Sequence, residues 1–366
     1  MKTYRIERVM TFAAWALALS MFMQASAQQA RRGSSQRKAR TAVPEARFSS
    51  GESALKIPLD IDNNIIRMQI RVNNSKPLKF IFDTGATLSA INSQRAAELG
   101  LKPQGKMRGN ATGGAIHGSY TTGVSLSVQG AEVSNQLVAL FPFSTPPGFE
   151  FDGVIGYDFI NQFVVEIDYR NKSMNLYNPR TYTYSGTGEV VPLLLKGRRT
   201  PLVRTKIVME GRAPVEGRLE VDTGSDGTFV INSPFVKRQK LVQSFQKTVA
   251  GSGRGAGGEQ KLLFGNVKAV ELGRFVFDNP PVGLSLDTEG SGASEENDGL
   301  IGSEIFRRFK VILDYSRQRM ILEPNESFKE PYELDMGALP FASPVSLTRH
   351  LTAGAVVNIV LRDLTG

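Results

Sequence analysis

The chain has 366 residues, 41% hydrophobic and 22% charged, which is the composition of a folded protein of roughly two domains and excludes a disordered or collagen-like chain. It contains no cysteine and only two histidines, His117 and His350, which removes thiol catalysis, disulfides, iron–sulfur clusters and Cys/His zinc sites; neither metal nor cofactor is expected. The net charge of +9 sits mostly at the start, where Lys2, Arg5 and Arg8 against Glu7 give +2, and Arg31, Arg32, Arg37, Lys38, Arg40 and Arg47 against Glu45 give +5, so the rest of the chain carries no surplus that would suit a nucleic acid.

In chain order, residues 1–27 read as an export signal: a basic start, the apolar stretch Val9 to Met23, and the small-residue site Ala25-Ser26-Ala27. The stretch is 15 residues long, short of the roughly 20 that span a bilayer; an uncleaved anchor is the alternative. No cysteine follows the site to carry a lipid. Residues 28–52, rich in Gln, Arg and Ser, read as a basic flexible linker, and no later apolar run is long enough to span a membrane once the signal is cleaved.

Beyond residue 52 the chain repeats itself. The segment DGVIGYDFINQFVVEIDYRNKSMNLYNP from Asp152 aligns with DGLIGSEIFRRFKVILDYSRQRMILEPN from Asp298 at a shift of 146, and FIFDTGATLSAIN from Phe80 pairs with LEVDTGSDGTFVIN from Leu219. Each copy therefore holds an Asp-Thr-Gly early and an apolar-apolar-Gly late, which defines lobe one over 53–180 and lobe two over 188–328. The alternation in Ile65 to Val72 and in Val124 to Val128 predicts half-buried strands, and Lys206 to Met209 with Arg218 to Val221 predict a hairpin around the turn-rich EGRAPVEG. Short helices are expected from Ser93 to Leu99, stopped by Gly100, and after Ser233 as N-cap with Pro234 at the first helical position. Each lobe is thus a small, mainly β unit.

The carboxylates of Asp83 and Asp222 each close a hydrophobic strand and open a Gly turn. Packed about a pseudo-twofold axis, the two turns would bring these carboxylates together, and two carboxylates about 3 Å apart share one proton. One then acts as base on a water while the other, protonated, donates to a substrate carbonyl, chemistry that needs no histidine. The bland alternative is that Asp-Thr-Gly merely caps two turns.

These residues, with Val154-Ile155-Gly156 and Leu300-Ile301-Gly302, resemble the aspartic protease superfamily, and the short lobes resemble bacterial exported aspartyl proteases with two retropepsin-like units in tandem. The resemblance covers roughly 60–325 and implies a bilobal acid-protease fold of two β-barrel lobes related by pseudo-twofold symmetry, acting as a monomer with an internal pseudo-dimer. It implies Asp83 and Asp222 as the catalytic pair, Thr84 and Thr223 hydrogen-bonded across the dyad, and Gly85 and Gly224 beside the scissile bond of a peptide or protein substrate. It also favours the periplasm over full secretion. Three residues past each Asp, lobe two has Ser225, whose hydroxyl is expected to hold the outer oxygen of Asp222, while lobe one has Ala86; Asp83 is then expected to carry the proton. The alternative is a catalytically weak peptide-binding protein of the cell envelope that keeps the cleft.

The glycine-rich segments Gly109 to Tyr120 and Gly251 to Gly258 sit where related proteases place a flap hairpin, which makes Gly113, Gly114, Gly253 and Gly255 candidates for substrate contact; a surface loop remains the alternative for the second. Gly253 to Gly258 formally matches G-x-G-x-x-G but lacks the strand–helix context of a dinucleotide site. Asp60, Asp62 and Asn64 fail as a calcium loop because Ile65 and Arg71 occupy the Gly and Glu positions. The tail, 329–366, resembles the opening of a PDZ domain from Tyr332, as a degenerate or truncated module or as a segment packed on lobe two.

Overall fold

The strand Ile65–Val72 forms where the alternation predicts it, and pairs antiparallel with Leu78–Phe82, Met68 opposite Phe80. In this computed structural model the described residues are 44–143, 148–195, 199–245, 247–332, 355–356 and 359–361. Both lobes fall within one compact unit. In lobe one the strand ending at Phe82 lies parallel to Gly153–Ile155, with Phe80 opposite Gly153 and Ile81 opposite Val154. Lobe two repeats the arrangement: Val215–Val221 lies parallel to Gly299–Ile301, with Leu219 opposite Gly299 and Glu220 opposite Leu300. Each of these pairs belongs to a separate ten-stranded sheet built mainly from its own lobe, so the fold is mainly β and bilobal, as read.

The two sheets are joined by a third, of six strands, drawn from both lobes. At its centre Val164–Asp168 pairs antiparallel with Phe309–Asp314 in a self-complementary register, Val164 opposite Asp314 and Asp168 opposite Lys310. Since Val164 and Lys310 are repeat equivalents, as are Asp168 and Asp314, the pairing is that of a twofold axis inside one chain. Val165, Ile167, Val311 and Leu313 from this sheet join the main apolar cluster that runs through both lobes. Full burial of each such side chain stabilises by about 2 kcal/mol.

The matched acids of the late motif also do equivalent work. The carboxylate of Asp152 accepts from Lys79 N at 2.9 Å and Arg95 Nε at 2.7 Å, while that of Asp298 accepts from Arg218 N at 2.9 Å and Arg238 Nη2 at 2.8 Å. Each thus ties the short helix of its lobe, Ser93–Glu98 or Ser233–Arg238, to the strand that leads to Asp-Thr-Gly.

Several expectations change in detail. Asn232, rather than Ser233, is the N-cap of the lobe-two helix, and it makes no side-chain cap bond: its amide donates to Asn297 Oδ1 at 2.5 Å instead, while Ser233 Oγ donates to Asp287 O. The strand read at Val124 to Val128 runs back to Gly114, because it is also the return arm of a hairpin. The linker read as flexible to residue 52 ends sooner, since Glu45–Phe48 pairs with Ala131–Ser134 and Phe48 packs on Phe163 at 5.5 Å. The leader 1–27, residues 28–43 and most of the PDZ-like tail lie outside the described residues. Of that tail, Ala355–Val356 pairs parallel with Arg254 and Gly255, and Ile359–Leu361 pairs antiparallel with Gly109–Ala111. Among the described residues no helix is long and apolar enough to cross a membrane.

Candidate active site

Each Asp-Thr-Gly turn is held by the late strand of its own lobe. The backbone N–H of Asp83 donates to Ile155 O at 3.0 Å, and that of Asp222 to Ile301 O at 3.0 Å, so the two turns inherit the symmetry of the repeat. Within the turns, Gly85 N and Ala86 N donate to Asp83 Oδ1 at 2.8 and 3.1 Å, and Gly224 N donates to Asp222 Oδ1 at 2.9 Å. Those contacts fix the inner carboxylate oxygens and leave the outer ones directed away from the turn.

The turns meet across the lobe junction. Thr84 Oγ1 donates to Val221 O at 2.5 Å and accepts from Thr223 N at 3.0 Å; reciprocally, Thr223 Oγ1 donates to Phe82 O at 2.8 Å and accepts from Thr84 N at 3.1 Å. All four bonds are buried, and each is worth on the order of 1 kcal/mol. They bring Gly224 against the opposite carboxylate, where a Cβ would lie 2.5 Å from Asp83 Cγ. Only glycine fits at that position.

Asp83 and Asp222 are both fully buried, at 0% exposure. Desolvation is the main reason that the Asp83 carboxyl is raised well above the ordinary 3.8; the charge of Asp222 comes next, with Glu220 adding a smaller push. Gly85 N–H works in the opposite direction and does not win. The site therefore favours one proton on the pair. Ser225 is buried beside Asp222, its carbonyl accepting from Ser303 N at 2.7 Å. Among the described residues no cluster of His, Cys, Asp and Glu is arranged to hold a metal ion.

Both glycine-rich segments are hairpins. Gly105–Ala111 pairs with Gly114–Val128, and Val249–Gly255 pairs with Gly258–Asn266, so the second is a paired arm and not a loop. The tips touch: Gly257 N donates to Thr112 O at 3.0 Å, and a Cβ on Gly113, whose φ is +87°, would lie 2.3 Å from Gly258 O. Gly113 and Gly114 thus stand at the tip of the first hairpin, Gly255 closes the last pair of the second, opposite Gly258, and Gly253 lies along its arm, opposite Gln260. His117 is exposed on the other arm, opposite Arg108.

Sequence reasoning passed over Glu220, Gln260 and Asn297, which line a narrow pocket beside the dyad with Thr112 and Ser291. A signal for the first was present: Glu220 stands where the other copy has Ile81. It also passed over Arg308, which is buried and donates to Glu304 Oε1 at 2.6 Å, Ser327 O at 3.2 Å and Glu330 O at 2.6 Å, clamping the end of lobe two.

Two stretches of the chain, 68–159 and 205–305, match a protein-family model described as aspartyl protease. Together they make just over half of the chain, and each runs from the hairpin that leads into Asp-Thr-Gly past the apolar-apolar-Gly of the same lobe. No curated protein matches the chain.

Proposed function

We propose, from the premise that this chain belongs to the aspartyl protease family, that it is an aspartic endopeptidase whose reacting groups are Asp83 and Asp222. The observation that carries this reading is the reciprocal set of threonine bonds, which seats two buried carboxylates in equivalent turns, with Gly224 pressed against Asp83. In the resting pair Asp83 holds the proton and Asp222 is the anion, a reading supported by the raised Asp83 carboxyl. A water between them gives a proton to Asp222 while its oxygen attacks the peptide carbonyl carbon, and Asp83 donates its own proton to the carbonyl oxygen. The tetrahedral diol then collapses: the C–N bond breaks as the proton from Asp222 passes to the leaving nitrogen and a diol proton returns to Asp83. Substrate, acid and base held in one geometry would add a proximity contribution to the rate.

An extended peptide fits the cleft because both hairpin arms offer a strand edge to it. Two short segments of the chain itself, 355–356 and 359–361, lie on those edges, parallel on one arm and antiparallel on the other. A single extended chain crossing a twofold axis would pair in this way. We also place the protein outside the cytoplasm, from its leader, and as a monomer, since one chain supplies both carboxylates.

The test is cleavage of a diverse quenched-fluorescent peptide pool from acid to neutral pH. Asp83→Asn and Asp222→Asn should each lower turnover by about 10³-fold or more, with pepstatin as an inhibitor arm. Peptide binding without cleavage by folded wild type would instead identify a peptide-binding protein that keeps the cleft.

A further inference from the structure

The first arm of each glycine-rich hairpin is paired on both of its edges near the tip. Gly105–Ala111 pairs with its own return arm on one side and with Ile359–Leu361 on the other. In lobe two, Val249–Gly255 pairs with Gly258–Asn266 on one side and with Ala355–Val356 on the other. A strand has two hydrogen-bonding edges, and beside the tips both are taken, in each case by the same end of the chain.

The two contacts stand at matching places. Ala111 opposite Gly114, and Gly255 opposite Gly258, are the last pairs before the tips. Ile359 meets Ala111, and Val356 meets Gly255. Val356 and Ile359 are three residues apart in the chain, yet their partners belong to different lobes. One short stretch of sequence therefore reaches both hairpins at their ends, parallel to one arm and antiparallel to the other, as a single strand does when it crosses a twofold axis. The Asp-Thr-Gly turns are disposed about the same axis, since Thr84 and Thr223 bond reciprocally. An extended peptide that adds a strand to either arm must use the edge that this stretch already holds, and two strands cannot hold one edge.

From this exclusion we infer that the segments 355–356 and 359–361 are a tethered occupant of the peptide cleft, and that the chain inhibits itself until a substrate displaces them. The inference rests on the reading of the cleft as a peptide site. Between Tyr332 and Ala355 lie 22 residues, 333–354, and a tether of this order holds its occupant at an effective concentration on the order of 1 mM. An occupant with a dissociation constant of about 100 µM then weakens the binding of any competitor about tenfold.

The test measures, by calorimetry on the full mature chain, the binding of a synthetic peptide of residues 351–366. Wild type is compared with a variant carrying Ala355→Pro, Val356→Pro, Ile359→Pro and Val360→Pro. Of two adjacent strand residues one N–H faces the partner, and proline removes it. The variant should bind the peptide about tenfold tighter than wild type, and a peptide with the same four prolines should bind neither chain. A second variant, with residues 355–361 replaced by glycine and serine, takes its place if urea unfolding shows that the prolines disturb the fold. Equal affinity in wild type and a folded variant overturns the inference. Cleavage of the quenched-fluorescent pool is followed alongside: in the variant the apparent KM should fall about tenfold with kcat unchanged, whereas a tail that only braces the hairpins would lower kcat when broken. Tighter peptide binding with no cleavage by either chain leaves this inference standing and removes the endopeptidase reading. Cleavage with equal affinities removes this inference alone, and no peptide binding and no cleavage by either chain removes both.

Discussion

Lobe one and lobe two share a scaffold almost residue for residue, yet they differ wherever a side chain points away from it. The parallel strand pair, the Asp152/Asp298 ties and the threonine bonds all recur, because each depends on backbone geometry that the duplicated sequence reproduces. The pocket walls do not recur: Ile81, Phe151 and Ile116 stand against Glu220, Asn297 and Gln260. Nor does the support behind them. Glu304 in lobe two is gripped by Arg308 and by Arg307, and it also accepts from Asn64 Nδ2 of lobe one at 3.0 Å. Its lobe-one counterpart, Asp158, has no ion pair among the described residues; Ser89 N and Ser89 Oγ donate to its carboxylate at 2.6 and 2.8 Å. The duplication keeps symmetric what holds the two Asp-Thr-Gly turns together and lets diverge the side chains around them.

The widest gap between the lobes should appear in stability. Arg308→Met leaves Glu304 buried with part of its partner set gone and strands the carbonyls of Ser327 and Glu330; a loss of about 3–5 kcal/mol is expected in urea unfolding. The equivalent change in lobe one, Gln162→Met, removes one bond to Asp158 O at 3.3 Å and should cost less than about 1 kcal/mol. Equal losses would show that the two lobes are braced alike.

Next comes the junction. Gly224→Ala places a Cβ against the Asp83 carboxylate and should lower kcat/KM by about 10²-fold while far-ultraviolet dichroism stays unchanged. A variant with near-normal turnover would mean that the turns are not locked in this register.

A smaller effect separates position from chemistry in the grip. Thr84→Val and Thr223→Val each remove one hydroxyl that both donates and accepts across the junction. Each should lose about 2 kcal/mol in urea unfolding, and by symmetry the two losses should agree. Thr→Ser at either site retains both bonds and should restore most of the stability.

The smallest expected effect is a pH slope. Burial pushes the Asp158 carboxyl up from 3.8 to about 6. Between about pH 4 and 6 the folded state then holds a proton that the unfolded chain has lost, so this group lowers stability as pH rises through that window. Glu323 is shifted the other way, and its contribution is lost only as pH falls below its ordinary 4.5. Unfolding free energies of wild type and Asp158→Asn at pH 4, 5, 6 and 7 should differ in slope by about 1 kcal/mol per pH unit, the variant being flatter.

Much of the site was legible because it is local. Asp83, Thr84 and Gly85 are consecutive, their counterparts recur 139 residues later, and a short turn behaves the same way wherever its strand ends. The helix at Ser93 was legible for the same reason, through its stop at Gly100, whose φ is +71°. The N-cap of the lobe-two helix was misread at Ser233 because the cap position belongs to Asn232, whose amide is drawn to Asn297, 65 residues away, while Ser233 Oγ is drawn to Asp287 O. The linker was misread at Glu45–Phe48 because composition says nothing of a sheet edge waiting at Ala131–Ser134. Glu220 was passed over because it continues the alternation of Glu216 and Arg218 and so reads as a solvent-facing strand position, although it is buried.

By itself, then, the order of residues determined the duplication, the strand-rich lobes and which two carboxylates occupy equivalent turns, since all of these follow from periodicity and self-similarity along the chain. The tertiary structure alone decided that the lobes share a central sheet, that Gly224 abuts Asp83, and that the tips of the two hairpins touch. Those are facts about residues far apart in the chain, and the distance between them is set only when both cores pack.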